Sequence, residues 1–149
     1  MKEFPRDRKW EMVVFDIDGT LMDFEGFDPK MIPLIRRLEE LEVLVSLASG
    51  RTLPNITPIM QSLALSGFIV AENGGIVWDS LEGHEIKVLA DGSRAKEAAK
   101  WLATKIEGFD EKGIESNRWR ETEWCLGPHE NYEEMCRLLI GSKWSDLLV

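Results

Sequence analysis

The sequence predicts an α/β fold built on a largely parallel sheet, and three observations carry that prediction. Apolar runs at 12–15, 43–48 and 67–71 have the length and composition of strands buried in a sheet. Stretches with apolar residues at helical spacing separate them, over 28–41 and 54–65. The first run ends in two carboxylates and a glycine, Asp16, Asp18 and Gly19. Ligands of open α/β sheets bind just beyond the carboxyl ends of strands.

Residues 1–11 read as a polar arm. After the first strand the chain turns through Asp23 to Gly26, and Asp28-Pro29 is expected to open a helix as N-cap and first helical residue. Met31, Leu34, Ile35, Leu38 and Leu41 form its apolar face, while Arg36, Arg37, Glu39 and Glu40 read as solvated surface. The second strand, 43–48, runs directly into Ser49-Gly50-Arg51. A helix over 54–65 contains Pro58, which kinks it or marks its start. The third strand turns at Glu72-Asn73-Gly74-Gly75 into a short strand at 76–78, a hairpin. Asp16 and Asp18, two apart on extended chain, are expected to face one space.

The pattern changes after Asp79. Residues 84–90 suggest a strand with one exposed face, and 91–107 a helix burying Ala95, Ala98, Ala99, Leu102 and Ile106. Two antiparallel strands are expected at 114–119 and 122–126. A helix capped from Asn131 follows, with Tyr132, Met135, Cys136, Leu139 and Ile140 in one stripe, and Asp146 reads as the start of a further strand. A boundary near 80–83 therefore separates 1–81 from an α+β module at 82–149.

Composition narrows the function. With 44% apolar residues the chain supports a packed core, and a net charge of −9 argues against nucleic acid as partner. The six Trp residues then read as packing rather than a base-stacking platform. Two cysteines, Cys125 and Cys136, make no disulfide framework and suggest a reducing, cytoplasmic setting. Met1–Trp10 has no apolar leader character, and no apolar run approaches the ~18 residues of a membrane span. Cys125, His129 and Cys136 lack the paired spacing of a metal site, and His84 reads as structural.

The run Asp16-Ile17-Asp18-Gly19-Thr20-Leu21 resembles the first motif of the haloacid dehalogenase superfamily of phosphohydrolases. Ser49 resembles its second motif, and Glu72-Asn73-Gly74-Gly75 is similar to the branch whose cap follows the third strand, the Cof-like or C2-capped branch. Asn117-Arg118-Trp119-Arg120-Glu121 resembles a cap segment of archaeal phosphoglycolate phosphatases. The resemblance implies a Rossmann-like three-layer core, partial here, with an inserted α+β cap. It implies a Mg²⁺-dependent phosphatase acting on a small phosphorylated metabolite, 2-phosphoglycolate being one candidate. Asp16 would be the nucleophile and Asp18 the acid and base, with Mg²⁺ on the Asp16 carboxylate and the Asp18 carbonyl. Ser49 and Gly50 would hold a phosphate oxygen, with Arg51, Asn73 and Arg118 (or Arg120) toward substrate.

Two later motifs of that family, a lysine and an acidic loop, have no match up to Val149; Lys87, Lys96, Lys100, Lys105, Lys112 and Lys143 fit neither. The expectation is a truncated chain whose first strand is left at a sheet edge. The alternative function is a weak or inactive protein that acts by association, including a homodimer through that edge.

Overall fold

Strand β1 (Met12–Asp16) pairs in parallel with β4 (Leu44–Ala48), and β4 pairs in parallel with β5 (Phe68–Ala71). Between them lie helices α1 (Met31–Glu40) and α2 (Leu53–Leu63). Strand β6 (Ile76–Asp79) turns back antiparallel on β5, and β7 (Ile86–Val88) completes a five-stranded sheet ordered β1-β4-β5-β6-β7. A two-residue ladder, β2 (Met22–Asp23) with β3 (Gly26–Phe27), projects after β1. This computed structural model describes residues 9–79, 83–128 and 132–147. It divides into two units, Met1–Lys87 and Val88–Val149.

In the first unit the core forms where apolar side chains of the sheet meet both helices. Register places Phe15 beside Leu47 and Leu47 beside Ile69, so these share a face. Ile35 of α1 and Ile56, Met60 and Leu63 of α2 pack with Val45, Leu47 and Ile69 in one cluster. Successive strands step in one direction across the sheet, and right-handed crossovers then put both helices on the same face. The opposite face carries Met12, Val14 and Phe68, which stay outside that cluster. The third layer that the family resemblance implies is absent among the described residues.

The helix starts shift for local reasons. Asp28 does not cap the helix directly. Its carboxylate accepts the Lys30 N–H at 2.9 Å and its carbonyl accepts that of Met31, so an Asx turn precedes α1. Pro58 sits inside α2, which starts at Leu53 with Pro54 in the first turn. Thr57 and Ser62 turn their hydroxyls back onto the Leu53 and Pro58 carbonyls.

Glu39 corrects the reading of that surface as merely solvated. Its carboxylate accepts the Val45 N–H at 2.9 Å, the Ser66 N–H at 3.0 Å and the Ser66 hydroxyl at 2.5 Å. It thereby ties α1 to the starts of β4 and β5. Glu39→Ala removes the acceptor for two backbone donors at once. We expect a loss of about 3 kcal/mol, measured as a fall in the denaturant midpoint.

The second unit holds α3 (Ser93–Ala103) and α4 (Tyr132–Ile140) around Ala98, Leu102, Met135, Leu139 and Trp144. The two strands expected at 114–119 and 122–126 do not form. A 3₁₀ turn spans Glu115–Trp119 and the following residues run irregularly. The buried Asn117 accounts for this. Its amide donates to the Lys112 and Cys125 carbonyls, at 2.9 and 2.7 Å, and its oxygen accepts the Cys125 N–H at 3.0 Å. One side chain thus replaces the bonds of a ladder.

The strand expected from Asp146 is a turn over the described residues: Leu147 N–H donates to Trp144, and Asp146 is clamped by Arg94. Lysine and arginine head groups lie over indoles, Lys96 over Trp124 at 4.7 Å and Lys143 over Trp144 at 4.3 Å. Asn131 and His129, with the readings placed on them, lie outside the described residues.

Candidate active site

Asp16 is the last residue of β1, level with Ala48 in the ladder. The strand stops there because Ile17 bends inward and is fully buried. Its carbonyl then gathers the N–H groups of Thr20, Leu21 and Met22. Gly19 closes this loop with a φ of +78°, a conformation that favours glycine. The two-residue alternation expected to carry Asp16 and Asp18 together therefore ends at the bend, and the two carboxylates take different partners. Asp16 is exposed and accepts a hydrogen bond from the Thr20 hydroxyl at 3.4 Å.

Asp18 meets the loop after β4. Arg51 grips it in bidentate fashion, Nε to Oδ2 at 2.9 Å and Nη2 to Oδ1 at 2.6 Å, and the Ser49 hydroxyl lies 3.5 Å from Oδ2. Ser49 Oγ also accepts the Arg51 N–H at 3.2 Å, which turns the chain toward α2. The loop after β5 closes the third side: Asn73 N–H donates to the Ser49 carbonyl and Glu72 N–H to the Arg51 carbonyl. The Asn73 amide presses on Gly50 so closely that a Cβ there would lie 2.9 Å from its oxygen. Glu72 and Asn73 both take left-handed backbone, with φ of 50° and 54°.

Asp16, Asp18, Ser49, Gly50, Arg51 and Asn73 thus belong to three neighbouring loops at the carboxyl end of the parallel strands. Arg118 lies in the second unit, where it pairs with Glu115 at 3.3 Å and covers the Trp119 ring. Arg120 pairs with Glu123 there, largely buried. Two residues were not anticipated. Thr20 supplies the contact to Asp16. Thr52 is fully buried at the start of α2, and its hydroxyl has no hydrogen-bond partner among the described residues. The only signal for either was its position beside a motif.

The electrostatics follow from the pairing. Hydrogen bonding from Arg51 holds the Asp18 carboxyl below its ordinary 3.8; burial opposes this, while the Arg51 charge and the Ser49 hydroxyl reinforce it. A depressed native pKa adds stability that is present above the ordinary value and disappears as the pH falls through the native one. Arg51→Gln is expected to raise the Asp18 titration midpoint and to reduce the stability lost on acidification. The Asp18 carboxyl carbon shift followed against pH measures the first effect.

Among the described residues no group of three or more acidic, His or Cys side chains gathers as a metal cluster. The donors present still suit a hard cation that keeps most of its water: one exposed carboxylate, on Asp16, beside the backbone of the Asp18 loop. The Asp18 carboxylate is already matched by a guanidinium. No described helix is long and apolar enough to cross a membrane.

The family model of haloacid dehalogenase-like hydrolases matches residues 13–117. A phosphoglycolate phosphatase of Haloarcula marismortui is 35% identical over 133 residues, covering 83% of this chain and 55% of its own length. That of Picrophilus torridus is 32% identical, covering 84% and 49%. A solved structure from Thermoplasma acidophilum superposes with a TM-score of 0.76 at 25% identity, covering 90% of this chain and 58% of that one. A haloacid dehalogenase-like hydrolase from Bacteroides thetaiotaomicron gives 0.53 at 27%, covering 64% and 36%. The chain spans about half the length of the curated relatives it matches. It belongs to the haloacid dehalogenase-like hydrolase family.

Proposed function

We propose that the chain carries the nucleophile and phosphate-binding half of a phosphoric monoester hydrolase. The observation that supports this most is the convergence of Asp18, Ser49 and Arg51 next to the strand end that bears Asp16. Hydrolysis of a phosphate monoester needs a positioned nucleophile and donors for the equatorial oxygens. Asp16, exposed and lightly held, attacks phosphorus and forms an aspartyl-phosphate, which divides one difficult step into two. The Ser49 hydroxyl and the Gly50 N–H hold a phosphate oxygen.

Asp18 protonates the leaving oxygen and later activates water. The Arg51 grip favours the ionised form of Asp18 still further in the free protein. The acid role is served when the guanidinium exchanges Asp18 for oxygens of an anionic substrate, whose own negative charge then favours the protonated carboxyl. The Asp16 carboxylate and the Asp18 carbonyl would hold Mg²⁺, which would supply positive charge where two anions meet.

The names of the relatives favour 2-phosphoglycolate as substrate. In this reading residues 1–81 are the catalytic core and 82–149 a cap, whose exposed Arg118 is the candidate for a substrate carboxylate, Arg120 being buried against Glu123. The setting is the cytoplasm. The test is hydrolysis of p-nitrophenyl phosphate and of 2-phosphoglycolate with Mg²⁺, wild type against Asp16→Asn. A rate carried by the wild type alone supports the proposal. Equal rates in both, or none in either, overturn it for this chain.

A further inference from the structure

The loop after β5 holds the loop after β4 with backbone and side chain together. Asn73 N–H donates to the Ser49 carbonyl at 3.3 Å, and Glu72 N–H to the Arg51 carbonyl at 3.0 Å. Ser49 N–H itself donates to the Val70 carbonyl of β5 at 2.9 Å. Both backbone polar groups of Ser49 are thus held on the β5 side. A trans peptide directs its carbonyl and its N–H to opposite sides. The Gly50 N–H shares a peptide with the carbonyl that Asn73 holds, so it faces away from β5. Since β4 stands between β5 and β1, that direction leads toward the strand end that bears Asp16.

The Asn73 side chain adds a second restraint. Its carboxamide occupies the side of Gly50 where a side chain would start: a Cβ there would lie 2.9 Å from Oδ1, 3.3 Å from Nδ2 and 3.4 Å from Cγ. The amide packs on the Gly50 backbone and limits how that residue can turn. Asn73 and Glu72 are both left-handed, with φ of 54° and 50°. Glycine would relax such backbone, and the turn has one at Gly74, with φ of 101°. An amide side chain at 73 therefore points to a task for the carboxamide itself, and strain of this kind persists where neighbouring groups over-determine it. We propose that Asn73 is a positioning residue. It acts on substrate through Gly50, by aiming that N–H at a phosphate oxygen, and does not touch the substrate. A backbone donor stabilises developing charge best when its direction is fixed beforehand. The inference rests on the phosphatase reading and adds to it the part that aligns the phosphate loop.

Titration of inorganic phosphate into the isotope-labelled chain in Mg²⁺ buffer tests it, read from the Gly50 amide resonance and the dissociation constant. Asn73→Gly removes the carboxamide and suits the left-handed backbone. It is expected to weaken phosphate binding about tenfold and to shrink the Gly50 response, with the denaturant midpoint unchanged. Gly50→Ala, whose Cβ forces the carboxamide aside, is expected to weaken binding by a similar factor. Combining the two relieves that contact and leaves the affinity no better than in Asn73→Gly alone. If Asn73→Gly binds phosphate as the wild type does, the proposal is overturned and the phosphatase reading stands. A midpoint that falls in step with affinity overturns it too, as does a double variant with wild-type affinity. A wild type whose Gly50 amide ignores phosphate at every concentration removes the phosphatase reading of this loop, and the positioning role with it.

Discussion

Asp16→Asn is expected to abolish phosphomonoester hydrolysis, by at least about a thousandfold in kcat/KM, wherever the wild-type activity is measurable. The substitution keeps the shape of the side chain and removes the anionic oxygen that attacks phosphorus. Little else should change. The carboxylate makes one side-chain hydrogen bond among the described residues, from Thr20 at 3.4 Å, and an amide oxygen can accept it equally well. The melting temperature should therefore stay within a degree or two of wild type. Acid-stable labelling of the protein by phosphate transfer should disappear with turnover. If the rate survives, Asp16 is not the nucleophile. If the fold collapses instead, its role is structural.

Gly67→Ala is expected to be the most damaging single-methyl change in the first unit. The glycine lies where β4 and β5 approach, and its N–H donates to the Val45 carbonyl at 3.1 Å. A Cβ there would lie 2.3 Å from Ser46 Oγ and 2.5 Å from the Val45 carbonyl oxygen. Backbone cannot yield as a side chain tip can, so the strands must separate. The Ser46 hydroxyl would then also lose the Phe68 N–H that it accepts at 2.9 Å. We expect a loss of about 3 kcal/mol or more, read from the denaturant midpoint. Gly127→Ala is the control. A Cβ there meets nothing within 4 Å, and the change should stay within about 0.5 kcal/mol. Because β4 and β5 carry the loops of Ser49 and Asn73, Gly67→Ala should also lower any activity of the chain.

The elements legible in the sequence were those whose physics is local. Three apolar runs became β1, β4 and β5, and three- and four-residue spacing became α1 and α3. The hairpin at Asn73-Gly74 followed from turn chemistry. The readings failed where a side chain does the work of backbone. Asn117 bonds to Lys112 and Cys125 in place of the two expected strands, and nothing in the β-propensity of 114–126 reveals that. Glu39 looked like one more charge on a polar helix face, since its partners come from residues far along the chain. The Arg51 grip on Asp18 spans 33 positions and depends on β1 and β4 standing in register. Motif spacing can name both residues without showing that they are already paired.

The placement of the indoles decides how these variants must be assayed. Trp101, Trp119, Trp124 and Trp144 all belong to the second unit, while the first has Trp10 and Trp78. Trp10 is half in water, and Trp78 stacks on His84 at 5.7 Å. Intrinsic emission on heating or denaturation will therefore be dominated by one half of the chain, and there it is quenched or released as lysines leave the rings. A sheet defect such as Gly67→Ala would reach that signal chiefly through Trp78, which stands opposite Ile69 of β5. Circular dichroism, or hydrogen exchange at the β4 and β5 amides, would register it.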